Sequence, residues 1–152
     1  MGTGETIFFG AISGLLAALL MNLFLRWISA SFAEPVNMIK VLGSYVTGSM
    51  SNAIAVGTAV HLTMGTLFGI FYGLLLDYMH GPTLPLALFT GIGVGFVHGL
   101  LTSYGLMFLM SEKHPVERYR QATFSIGVLY LIAHVVYGGM VGLLLAVFAL
   151  FA

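Results

Sequence analysis

The run His61-Leu-Thr-Met-Gly65-Thr-Leu-Phe-Gly69-Ile-Phe-Tyr-Gly73-Leu-Leu-Leu76 decides the fold. It carries no charge, and glycine returns at every fourth position. On a helix, Gly57, His61, Gly65, Gly69 and Gly73 therefore lie along one slowly winding face. Extended back to Asn52, the apolar stretch exceeds the about 20 residues needed to cross a hydrocarbon core of roughly 30 Å. Small residues at this spacing let helix backbones approach closely in lipid, where no hydrophobic effect separates one helix from its solvent.

Three further stretches have the same character: about Thr6–Ile28, Leu84–Met110 and Gln121–Phe151. The only Lys, Arg, Asp or Glu inside any of them is Arg26, close enough to an end to snorkel. Pro35, Pro82, Pro85 and Pro115 all fall in connections or a first turn, where a missing N–H does little harm. An open sheet would leave unpaired edges in lipid, and a barrel would need a polar alternation that these runs lack. The expected fold is all-α: a single polytopic domain over residues 1–152, with four transmembrane helices in a glycine-rich bundle. The first span is too long, and lacks the basic leader, for a cleavable signal peptide.

The whole-chain arithmetic agrees. Of 152 residues, 59% are apolar and 7% charged, and the mean hydropathy is +1.04. A soluble domain carries about 25% charged residues, so the lipid bilayer is this chain's solvent. Five Lys and Arg balance five Asp and Glu, which leaves no basic field for nucleic acid. The absence of cysteine excludes disulfides, thiolate metal sites and Cys nucleophiles.

The zero balance hides an asymmetry. Arg26 stands at the end of span one and Lys40 follows it, while Lys113, Arg118 and Arg120 follow span three. The positive-inside rule then places both basic loops in the cytoplasm and both termini outside, in an inner-membrane protein. Glu34–Met50 is too polar to cross, and its apolar residues Val36, Ile39, Leu42 and Val46 suggest an interfacial helix starting after Pro35.

Span four repeats the opening motif as His134-Val-Val-Tyr-Gly138-Gly-Met-Val-Gly142. Gly10-x3-Gly14 in span one has its counterpart in Gly91-x3-Gly95 of span three, with Gly99 one step further. Spans 1–2 and 3–4 thus read as two helical hairpins of the same polarity, a possible parallel repeat.

His61, His98 and His134 lie about 14, 18 and 20 Å from the basic ends of their spans, at about 1.5 Å per residue. Three helices each bring one imidazole to a common mid-membrane layer, and intramembrane ionisable residues are functional candidates. Two of the histidines could ligate a b-type haem, or all three could hold a copper or zinc ion. They could equally bond across helix contacts to Thr63, Thr102, Ser103, Tyr104 or Tyr137, or line a proton or substrate path. No Asp or Glu joins them, so di-iron carboxylate sites and acidic relays are absent from the pattern.

A Ser103–His dyad has no supporting motif, and no nucleophile or acid/base pair suggests an enzyme. Met107 and Met110 beside His114 could attract Cu(I) or simply fill gaps. The loop Ser111–Arg120 reads as solvated or as a docking site, and His80 as exposed.

Gly10-x3-Gly14, Val60-His61…Gly65…Gly69, His98-Gly99 and His134-x2-Tyr137-Gly138 together resemble the small four-helix prokaryotic inner-membrane proteins of the YagU-like group. That group has no established activity, so the resemblance implies a fold and a location alone. The functional expectation is a small subunit or accessory protein of a larger, possibly redox, membrane complex, partnered by other subunits or by copies of itself. The alternative is a small homo-oligomeric transporter or channel that uses the histidines as a path.

Overall fold

Each apolar run becomes one long helix. The computed structural model describes residues 1–30, 37–79, 81–121 and 123–152. Helix α1 covers Thr3–Ser29, α3 Ala53–Tyr78, α4 Leu86–Lys113 and α5 Phe124–Phe148; all four are long and apolar enough to span a bilayer. The protein is a multi-pass helical membrane protein. Its boundaries fall within a few residues of those read from charge and proline.

The short helix α2, Met38–Thr47, lies between the first two spans. It is capped by Asn37, whose side-chain oxygen accepts the Lys40 N–H at 3.0 Å. It stops at Gly48, whose φ of 72° suits glycine. Residues 34–36 of the expected interfacial segment, and His80, lie outside the described residues.

The glycines define the pairing. A side chain at Gly14 would strike the Gly65 carbonyl and the Gly69 backbone, and one at Gly91 would strike the Gly138 carbonyl and approach Gly142. Helices α1 and α3 therefore touch backbone to backbone, as do α4 and α5, and both hairpins use the same contact. Gly73 meets the Thr6 carbonyl, Gly95 the His134 carbonyl, and Gly99 the His134 and Leu131 side chains. Gly57 differs from the rest of its row: it faces the Ile39 carbonyl and Gly43, so it seats α2 rather than α1.

The hairpins join through α1 and α5. Phe9 stacks on Phe148 with ring centres 5.0 Å apart, and Ala17, Ala18, Met21, Tyr137, Val141 and Leu145 are buried. The spatial order is α3–α1–α5–α4, a curved row whose end members α3 and α4 barely meet. That curvature leaves space on the concave side, and α2 covers one end of it.

Candidate functional site

His134 is held on both sides. Its Nδ1 lies 2.7 Å from the Tyr130 carbonyl one turn earlier, which places the proton on Nδ1. Its Nε2 lies 3.1 Å from the Thr102 hydroxyl on α4 and accepts the hydroxyl's proton. The same hydroxyl is 2.8 Å from the His98 carbonyl, so its one proton serves the two acceptors in turn. Ser103 Oγ stands at the edge of bonding range, 3.5 Å from His134 Nδ1.

His98 sits among rings. It stacks on Phe68 at 3.8 Å, meets His134 edge to face at 4.9 Å, and has Tyr72 and Tyr137 at 6.4 and 6.2 Å. Its Nδ1 is buried and finds no partner among the described residues, and the same holds for His61 Nε2 and the Tyr130 hydroxyl. Buried polar atoms are nearly always paired, so these orphans mark a special environment.

All three histidines border one cavity of about 430 Å3. It fills the concave side of the row, in the half of the bundle nearest α2. Met21, Met64, Phe68, Leu106 and Met110 supply apolar wall, Met38, Val41 and Leu42 of α2 form the ceiling, and Arg118, Tyr119 and Gln121 stand at the rim. Along α5 the lining runs from Ile126 to Tyr137, a depth of about 17 Å at the helical rise. Beyond the histidines, Tyr72, Leu76, Val141 and Leu145 are buried and pack the remaining half.

The expected cross-helix bonds are realised for His134 alone, through Thr102 and Ser103. Thr63 faces outward, and Tyr104 packs on Phe124. The Tyr137 hydroxyl instead donates to the Gly65 carbonyl at 2.6 Å and ties the two hairpins together. Met107 and Met110 border the cavity.

His114 departs from the solvated loop expected around it, being 0% exposed. Its Nδ1 accepts the Val116 N–H at 3.0 Å, and its Nε2–H donates to the Val41 carbonyl at 3.1 Å. Arg120 Nε donates to the His114 carbonyl at 2.7 Å, and the Tyr45 and Tyr119 rings flank the imidazole. His114 thereby locks α2 to the segment after α4. No spacing in the sequence links His114 to Val41, 73 positions away.

His98 and His134 touch edge to face, which leaves no slot for a porphyrin between them, and both nitrogens of His134 are engaged. Among the described residues, no group of three His, Asp or Glu is placed to hold a metal ion. His61 and His98 retain unpartnered nitrogens. No protein-family model, curated protein or solved structure matches the chain.

Proposed function

We propose that the protein is a small binding subunit of the membrane, whose histidine-bordered cavity holds one largely apolar ligand. A single observation carries this reading: three histidines from three helices converge on one apolar cavity of about 430 Å3, within the size range of small-molecule sites. The packed half beyond the histidines favours a blind pocket over a path, and so favours holding a ligand over transporting it. Short loops and an almost wholly apolar exterior suit work within a larger assembly. We place the α2 end toward the cytoplasm, on the side of the five cations, in the inner membrane where the YagU-like resemblance would also put it.

The unpartnered His61 Nε2 and His98 Nδ1 favour a second reading, in which the cavity takes a haem or a copper or zinc ion. One experiment separates the two. Protein purified from native membranes in mild detergent is examined for absorbance, metal content and solvent-extractable organic molecules, beside a Val60→Trp variant that fills the cavity. One apolar molecule per chain in the wild type, lost in the variant, supports the first reading. A Soret band or stoichiometric metal supports the second. Bulk lipid alone, equal in both proteins, overturns both.

A further inference from the structure

The cavity is asymmetric in two respects that bear on its ligand. Its walls are apolar from the histidines almost to the α2 end, yet its rim carries Arg118, Tyr119 and Gln121. The Arg118 guanidinium lies 4.6 Å from the centre of the Tyr119 ring, and its Nη2 donates to the Tyr119 hydroxyl at 2.7 Å. The guanidinium is thus anchored on one side, and its other donors are available at the cavity mouth. One cation over a deep apolar well fits a molecule with a single chain and an anionic head.

The second asymmetry is lateral. The backbones of α3 and α4 come close at few points; on the α2 side of the Phe68–His98 stack, Met64 and Leu106 both line the cavity and are 50% and 41% exposed. They flank an opening toward lipid. The ceiling above it is fixed, because His114 bonds the cavity-lining Val41. A membrane-dissolved amphiphile can slide its chain sideways between α3 and α4 with its head at the interface throughout.

We propose that the site takes one single-chain anionic amphiphile, with its carboxylate or phosphate on Arg118 and its chain running toward His61 and His98, loaded from the bilayer between α3 and α4. This rests on the apolar-ligand reading above, and names the class of ligand and its route.

The test uses the full chain in phosphatidylcholine nanodiscs, titrated with palmitate, hexadecyl phosphate and uncharged hexadecanol. Both anions are expected to bind one per chain. Arg118→Gln should weaken them about tenfold, the scale of one charge-assisted hydrogen bond, and leave hexadecanol unchanged. A preference between carboxylate and phosphate separates fatty acids from phosphorylated lipids as the source. Equal anion binding by wild type and Arg118→Gln overturns the head-group assignment while leaving the cavity reading intact. Binding of none of the three probes overturns both.

The route is tested on Met64→Cys, a single thiol in a chain without cysteine. Attaching a bulky thiol reagent before ligand is added should slow loading by tenfold or more, and attaching it afterwards should trap the ligand. Unchanged loading overturns lateral entry.

Discussion

Tyr137 reaches from α5 to α3 and gives its phenolic proton to the Gly65 carbonyl at 2.6 Å. Gly65 also lets α1 approach, since a side chain there would strike the Ala18 methyl. A hydrogen bond inside a bilayer protein contributes about 0.6 kcal/mol on average and up to about 1.7. Tyr137→Phe should therefore cost about 1 kcal/mol in a micelle unfolding measurement and leave the helix content unchanged. His98 behaves differently, because its ring is held by Phe68, Tyr72, His134 and Tyr137 rather than by a hydrogen bond. His98→Phe keeps the stacking and removes the orphaned Nδ1. It should leave stability unchanged or raise it by up to about 1 kcal/mol in the same assay, whereas His134→Phe, which removes the imidazole's bonds to Thr102 and to the Tyr130 carbonyl, should lower it.

At the scale of elements, the glycine faces and the α2 clamp make opposite kinds of contact. Gly14 and Gly91 allow backbone to meet backbone, so a side chain there forces two helices apart; Gly93 faces open space. Gly14→Leu and Gly91→Leu should each destabilise by about 1–3 kcal/mol or more, while Gly93→Leu should stay within about 0.5 kcal/mol. Steric-trap unfolding would read the difference.

Helix α2 is tied to the segment after α4 by His114, and His114→Ala removes the bond to the Val41 carbonyl and leaves the Val116 N–H without its side-chain acceptor. Ser44, fully buried on α2, serves as a reporter. Thiol labelling of Ser44→Cys should be slow, and at least tenfold faster once His114→Ala is added; equal rates would show that α2 is held by something else.

The spans and glycine faces were legible in the sequence because charge exclusion and four-residue spacing are local properties. Counting along each helix likewise put His61, His98 and His134 at similar heights, and the three border one cavity. Gly57 shows where local reading stops: it sits in register with Gly65 and Gly69 yet packs on α2, a partner no spacing reveals. The His114–Val41 bond is equally non-local.

At the scale of the whole molecule, the decisive feature is the order α3–α1–α5–α4 and the gap its curvature leaves between the end helices. Each hairpin is closed by its own glycines and the pair is joined along α1 and α5, so α3 and α4 meet through side chains such as Phe68 on His98 rather than along their backbones. The cavity follows from that topology, and no single helix encodes it. It brings the three histidines together at one apolar surface and gives them one rim, at Arg118 and Gln121.

Native mass spectrometry of the protein released from mild detergent tests this account most directly. The wild type should carry one discrete bound mass above the 16.3 kDa chain, lost only at high collision energy, and Val60→Trp should fly as the bare chain. Wild type and Val60→Trp with identical bare-chain spectra would contradict the account.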